Sequence, residues 1–400
     1  MRMRTRWIAI STTLLTAVAL TAACGSSSAQ PSSNAPVGST GAKEPIVIGN
    51  VGTYSGPFAT QYLPSLHGLE AWVSYTNAHG GINGHQVKLV SKDDNNNPAT
   101  SLQAVKQLVE NDHVVALVDV TAPGTDSAWA GYVQQHRIPV VGGLATDANW
   151  LQNPYFFSTN TNPVGILTGQ LVLAKRLGSR VGLFLCAEES ACKSAEALLP
   201  QVGKSVNIDY VGSQLVAASA SDYTAQCLAL KDAHADVVIP EIDQATAQRV
   251  IASCATQGFT PKIEVADITP QILANGQFDG ATAVAYTPLW FGDNPLTSNW
   301  AATYKKMFPK DIANSVATLG WQAGVVFAAA LTNAPAKVTS QSVLDGLWRI
   351  PPKSTFGGWT PPLTYTKGKP ATTTGCLWHA GVDNHKLTAP DGYDFVCPGT

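Results

Sequence analysis

Four hundred residues exceed one ordinary core, so two domains are expected. Only 13% of the residues are charged, the formal net charge is −2, and no basic block or aromatic-basic stripe occurs, which excludes a nucleic-acid surface. Apolar residues make up 45%, enough for sizeable cores, yet past Leu20 no run approaches the roughly 20 apolar residues of a membrane span.

At the amino terminus, Arg2, Arg4 and Arg6 precede the apolar run Trp7–Leu20, the pattern of a secretory signal. Its end, Leu20-Thr21-Ala22-Ala23-Cys24-Gly25, is similar to a lipobox, with Thr21 where Leu is usual. Residues 1–24 are therefore expected to be a signal whose Cys24 becomes lipidated; the alternative is ordinary cleavage with a free Cys24. Residues 25–44 are Ser, Gly, Ala and Pro with almost no apolar bulk and read as a disordered tether, reaching on the order of 25 Å.

The folded part begins with the apolar run Ile46–Val51, a buried strand, followed by the loop Gly52-Thr53-Tyr54-Ser55-Gly56-Pro57-Phe58. Leu66, Leu69, Trp72 and Val73 recur at helical spacing within 63–77, and Gly80-Gly81 end that helix. Asn83-Gly84 turn the chain into a strand over 86–92, and Asn97-Pro98 cap the next helix. Asp93-Asp94 lack the alternation of a calcium loop and are expected to polarise that helix start. The alternation continues with a strand at Val114–Val118, a helix carrying Trp129 and Val133, a strand at Pro139–Val141, and Tyr155–Phe157 as a crossing point.

A second series follows: helix 164–177, strand 180–185, helix 194–202, strand 208–216, helix 223–233, strand 236–239, helix 245–257, and strands 262–265 and 281–287. Two long apolar helices, 297–308 and 318–331, close the pattern. Two similar βα series predict an α/β fold of two doubly wound parallel-sheet lobes.

The segments I-x-I-G…S-G-P-F, N-A-H-G-G-I-N-G and D-D-N-N-N-P at this spacing resemble the branched-chain amino-acid (Leu/Ile/Val) binding family of type I periplasmic binding proteins, the receptors of ABC importers. The resemblance extends over roughly residues 46–386. It implies a three-strand hinge, with lobe one at 45–158 plus 288–355 and lobe two at 159–287 plus 356–400. Thr355–Pro362 would then carry the chain back to lobe two. It further implies a small amino-acid-like ligand and a membrane permease as partner; no nucleic acid, no cofactor and no metal are expected. The body is expected to be a monomer held by lipid at the outer face of the cytoplasmic membrane.

In open α/β sheets, ligands sit beyond the carboxyl ends of strands, where helix N-termini point. In lobe one those positions are Thr53, Tyr54, Ser55 and Gly56, then Thr121, Gly124 and Thr125, then Gly142, Gly143, Leu144, Ala145 and Thr146. Hydroxyls and exposed backbone N–H groups suit a carboxylate, although loops are rich in such residues anyway. The resemblance assigns the ligand carboxylate to the positions of Thr125, Leu144 and Thr146. In lobe two the strand ends carry Glu188, Glu189, Glu241, Asp243 and Asp267, a negative rim for an ammonium group. The resemblance points to Asp267 for the ligand amine; Glu241 and Asp243 come from the residues alone, with Asp243 equally placed to cap the next helix.

The family usually carries an aromatic residue where Ser190 stands, and often another after the strand ending in Pro240. Both are missing, which leaves Tyr54, Phe58 and Trp321 as aromatics to line a pocket; Trp321 could equally pack inside its helix.

Seven cysteines are present, and with Cys24 lipidated an even six remain. Fifteen pairings are open; local geometry favours Cys186 with Cys192, Cys227 with Cys254, and Cys376 with Cys397. A zinc site from Cys376, His379, His385 and Cys397 is the weaker alternative, since its spacing fits no familiar zinc module. No nucleophile elbow, P-loop, dinucleotide fingerprint or H-E-x-x-H occurs, and a Ser55–His67–aspartate triad would be fortuitous. A binding protein is expected, not an enzyme; a sensor module of the same fold and an extracellular hydrolase are the alternatives.

Overall fold

The computed structural model describes residues 43–188, 190–265, 270–273 and 276–397. The signal, Cys24 and nearly all of the tether lie outside the described residues, as do Glu189 and Asp267.

The first lobe is built on a five-stranded parallel sheet in the order β2-β1-β3-β4-β5, comprising β1 (Ile46–Gly52), β2 (Val87–Asp93), β3 (Leu117–Val120), β4 (Val140–Gly143) and β5 (Phe156–Phe157). One face is covered by α1 (Ala59–Ala78), α9 (Ser298–Met307), α10 (Leu319–Ala330) and α11 (Ser340–Arg349), whose Leu69, Trp72, Trp300, Phe327 and Leu344 form the larger core. On the opposite face α2 (Pro98–Glu110) and α3 (Ala130–His136) bury Val105, Leu108, Trp129 and Val133. Between β4 and β5 lies the single turn α4 (Asn149–Gln152).

Parallel strands buried on both faces need continuous apolar runs, which is why these strands are so readable. Gly81, with φ of 76°, lies so close to the His85 carbonyl that a Cβ could not fit. This glycine both ends α1 and admits the turn into β2.

In the second lobe the sheet order is β12-β11-β10-β9-β8-β6-β7. Its strands are β6 (Arg180–Cys186), β7 (Asp209–Val216), β8 (Val237–Glu241), β9 (Lys262–Val265), β10 (Thr282–Ala285), β11 (Leu377–Asp383) and β12 (Lys386–Thr388), with β13 (Phe395–Val396) paired to β11. Strands up to β10 are parallel; β11 runs antiparallel to β10, β12 and β13. Helices α5 (Pro163–Ala174) and α6 (Ser190–Ser205) cover one face, and α7 (Thr224–Asp232) and α8 (Gln244–Thr256) the other.

The cysteines pair as Cys186–Cys192, Cys227–Cys254 and Cys376–Cys397. Both cysteines of the zinc alternative are thereby occupied.

Three differences from the sequence expectation have physical causes. The third strand lies at Leu117–Val120, not Val114–Val118, and its ladder to β4 is interrupted where Asp119 (φ 58°) faces Gly142 (φ 69°). Helix α11 escaped notice because it is short; its signature is a capping box between Thr339 and Ser342. The return to lobe two comes later than Thr355–Pro362. Trp359, Leu363 and Tyr365 are buried in the first lobe's core, where Trp359 lies 6.0 Å from Trp321 between ring centroids. The chain crosses instead at about Thr373–Cys376, beside the first crossing: Asn162 N–H donates to Thr373 Oγ1 at 2.9 Å. The remaining crossing leaves β10 through Tyr286–Pro288.

Asn97 caps α2 by accepting from the N–H groups of Ala99 and Thr100, each at 3.0 Å. Asn97→Ala is expected to cost about 1 kcal/mol, measured as a lower denaturation midpoint with an unchanged slope.

Candidate functional site

The crossings leave the carboxyl ends of β5 and β10, so the loops after the strands of both sheets gather at the junction of the lobes. In lobe one these loops are bound to one another before any ligand is considered. Asp94, fully buried, accepts from Thr53 Oγ1 at 2.7 Å, from Thr125 Oγ1 at 2.5 Å and from the Asn96 N–H at 2.8 Å. One carboxylate thus gathers the loops after β1, β2 and β3.

Its neighbour Asp93 accepts from the backbone N–H groups of Tyr54, at 3.1 Å, and Asn95, at 2.9 Å. Partial burial opposes its ionisation, but the hydrogen bonds from Asn95, Ser55 and Tyr54 prevail and hold the carboxyl below its ordinary value. The pair is loop-binding, not the helix-polarising element expected.

Tyr54 folds back over its own strand. Its hydroxyl donates to Asn50 Oδ1 at 2.8 Å and accepts from Thr121 Oγ1 at 2.9 Å. Any Cβ at Gly52 would collide with both the Tyr54 hydroxyl and Thr121 Oγ1, so this ring position demands glycine. Burial, then the charge of Asp119, push the Tyr54 phenol well up, so it stays protonated.

Asp119 sits beneath this network, fully buried, accepting from Ser65 Oγ at 2.8 Å. Burial raises its carboxyl to about 7. Its left-handed backbone in mid-strand is rare for a non-glycine residue.

The sequence-predicted residues therefore divide. Tyr54 and Thr121 meet, bound to each other. Ser55 Oγ donates to Asn95 Oδ1 at 2.6 Å, and Gly56 is exposed with φ of 73°. Thr125 does not offer its hydroxyl to the cleft as expected, because Asp94 holds it in the interior. Leu144 is buried with Tyr62, Val316 and Leu319, next to Phe58 and to Tyr286 on the second crossing. Ala145 is buried in the core of the α2 face. Thr146 differs from all of these: its hydroxyl is out of contact with water and has no hydrogen-bond partner.

Trp321 is a core residue, 3% exposed and 5.2 Å from Tyr75 between ring centroids, so it lines no pocket. His67 Nδ1 lies 2.7 Å from Asp311 and Ser55 is bound elsewhere, so no triad forms.

On the lobe-two side, Glu241 accepts from Gln170 Nε2, and Asp243 is the cap of α8, accepting from the Thr246 N–H at 3.0 Å. Glu188 accepts from the Ala218 N–H at 2.7 Å. Ser190 opens α6, and the Cys186–Cys192 bridge ties the end of β6 to that helix, with Cys192 Sγ 3.8 Å from the Glu241 carbonyl.

An acid pair on lobe one escaped the sequence reading. Asp126 is buried beside Asp147; burial first, then the Asp147 carboxyl, push its own carboxyl well up. Each follows a threonine already singled out, Thr125 and Thr146, and the repeated Thr-Asp was the available signal.

Two α/β lobes built on largely parallel sheets and joined by three crossings define the fold of a type I periplasmic binding protein. A sequence profile of the periplasmic binding protein family matches residues 45–385, and the chain belongs to that family, one of binding proteins and not of enzymes. The chain is 25% identical over 245 residues to Leu/Ile/Val-binding protein homolog 7 of Brucella suis, covering 56% of this chain and 59% of that protein. In fold it is similar to a branched-chain amino acid transporter substrate-binding protein of Streptococcus pneumoniae in complex with isoleucine (TM-score 0.71, 16% identity, 88% of this chain and 100% of that one). It is likewise similar to an ABC-transporter solute-binding protein of R. palustris in complex with benzoate (TM-score 0.68, 15% identity, 88% and 97%).

Two substitutions test the rim. Asp94→Ala removes three hydrogen bonds and is expected to cost on the order of 3 kcal/mol in chemical denaturation. Asp119 titrates near 7 in the folded chain and at the ordinary carboxylate value when unfolded. Its contribution is therefore complete at low pH and is lost as pH rises through about 7. Asp119→Asn is expected to flatten stability between pH 4 and 8 by at most about 4 kcal/mol, read from denaturation midpoints across that range.

Proposed function

We propose that this chain is an extracytoplasmic solute-binding lipoprotein, anchored through Cys24, that captures a small polar ligand between its lobes and delivers it to an ABC importer. The ligand class is an amino acid or a related amine or amide. The observation that carries this reading is the unpartnered Thr146 hydroxyl on a rim whose other hydroxyls are already bound. A buried donor without an acceptor is costly unless a ligand completes it.

The ligands of the two structural neighbours, isoleucine and benzoate, share a carboxylate and little else, which favours that group for the Thr146 side. Asp267 and Glu241 are the proposed partners of the amine on lobe two. Contacts to both rims would favour a closed arrangement about the three crossings, the state a permease reads.

Calorimetry of the purified protein against amino acids, amides and simple carboxylates is expected to show saturable binding without turnover. Thr146→Val should weaken the best ligand about tenfold, and Asp267→Asn should remove discrimination between an amino acid and the matching carboxylate. Product formation, or equal affinity in Thr146→Val and the parent chain, would refute the assignment.

A further inference from the structure

The positive charge of this chain is unevenly placed. Between Asn333 and Thr372 stand Lys337, Arg349, Lys353, Lys367 and Lys369 against a single acid, Asp345, in a chain whose formal net charge is −2. All five cations are exposed, and among the described residues none of them enters an ion pair. The Asp345 carboxylate accepts instead from Gln341 Nε2 at 2.9 Å. Charge alone would describe an ordinary solvated face, but here it borders a cavity.

That cavity, of about 380 Å³, opens where the ends of α10 and α11 meet the loop after Ile350. Gly346 lets the two helices meet, since a Cβ there would collide with the Ala330 carbonyl. The wall is mixed: Ile350, Pro351 and Phe356 supply apolar surface, and Arg349, Asn333 and Thr355 supply donors. Arg349 Nε donates to the Asp345 carbonyl at 2.9 Å, which leaves both terminal nitrogens without a protein partner. Lys353 directly precedes Ser354 of the wall, and Lys367 Nζ lies 5.1 Å from the ring centroid of Trp348, the neighbour of Arg349. A planar guanidinium fork suits a phosphate, and the flanking lysines suit a surface of such groups.

The cavity lies toward the amino ends of the lobe-one strands, away from the rim. Asn83, which leads into β2, donates from Nδ2 to the carbonyl of Ala334, the residue after Asn333, at 3.0 Å. Its own carbonyl accepts from Lys43 Nζ at 2.7 Å, and Lys43 is where the tether meets the fold. A tether held by lipid at its far end keeps this part of the lobe within on the order of 25 Å of a bilayer. Such confinement raises the effective concentration of the surface, so that weak contacts suffice. A soluble anion has no such advantage, which favours a membrane as the occupant.

We propose that this end of lobe one docks onto an anionic phospholipid surface, a lipid phosphate entering the cavity at Arg349 while Lys353, Lys367 and Lys369 meet neighbouring headgroups. The proposal rests on the anchored reading given above. The contact leaves the cleft, at the opposite ends of the strands, open to incoming solute.

The test uses the polypeptide from residue 25 onward, made without lipid and retaining both lobes, with vesicles of equal parts phosphatidylglycerol and phosphatidylcholine. The chain is expected to sediment with these vesicles and not with pure phosphatidylcholine, and added salt is expected to release it. Lys353→Gln and Lys367→Gln should each weaken the partition about fivefold, and Arg349→Gln by more, with melting midpoints unchanged. The pair Lys305→Gln and Lys306→Gln, exposed on α9 and outside the cavity wall, is the control and should change nothing. An equal loss in that control, no preference for the anionic vesicles, or competition by free glycerol phosphate at matched ionic strength would each overturn the proposal. The anchor is judged separately, by the mass of the chain extracted from cell membranes: a Cys24 without lipid refutes the anchored reading whatever the vesicles show.

Discussion

The rim of the first lobe depends on one buried carboxylate, that of Asp94. Among the described residues no lysine, arginine or histidine forms an ion pair with it; two hydroxyls and a backbone N–H hold it instead. Because its three donors come from the loops after β1, β2 and β3, the loops cannot take up their positions separately. A charged acceptor makes such bonds stronger than neutral ones, and water exclusion strengthens them further. The result is a wall set before a ligand arrives, which lowers the ordering cost of capture.

That preorganisation also accounts for which hydroxyls are left over. Tyr54, Thr121 and Thr125 look from their residue types like ligand donors, yet each satisfies the protein itself. Gly52 permits it, since the strand surface is bare where the Tyr54 ring lies down. Thr146 stands one loop beyond this network, after β4, and is the hydroxyl the network does not reach. Asp126 borders the same loops, and burial, then the neighbouring Asp147, push its carboxyl well above the ordinary value.

The two-lobed α/β architecture was legible in the sequence because parallel strands buried on both faces leave uninterrupted apolar runs, and because glycines and asparagines punctuate them. The cap at Asn97 and the turn at Gly81 are local and could be read one residue at a time. What was not legible was the direction in which a side chain on a loop turns. Thr125 and Thr146 occupy equivalent places after adjacent strands, and only the location of Asp94, some thirty residues from Thr125 in sequence, separates the bound hydroxyl from the unpartnered one. Trp321 was ambiguous for a similar reason: its fate depended on Trp359, which the family resemblance placed in the other lobe.

The order in which the first lobe is assembled along the chain has a consequence for its biogenesis. Trp72 and Leu69 near the beginning are covered by Trp300, Phe327, Leu344 and Trp359 near the end, with the parallel strands of the other lobe in between. A ribosome emitting this polypeptide therefore releases half a core long before its complement. The early segment stays unfinished until synthesis is nearly over, an advantage for a chain threaded unfolded through a secretion channel. By the same logic, a fragment cut anywhere before Trp359 encodes neither lobe in full.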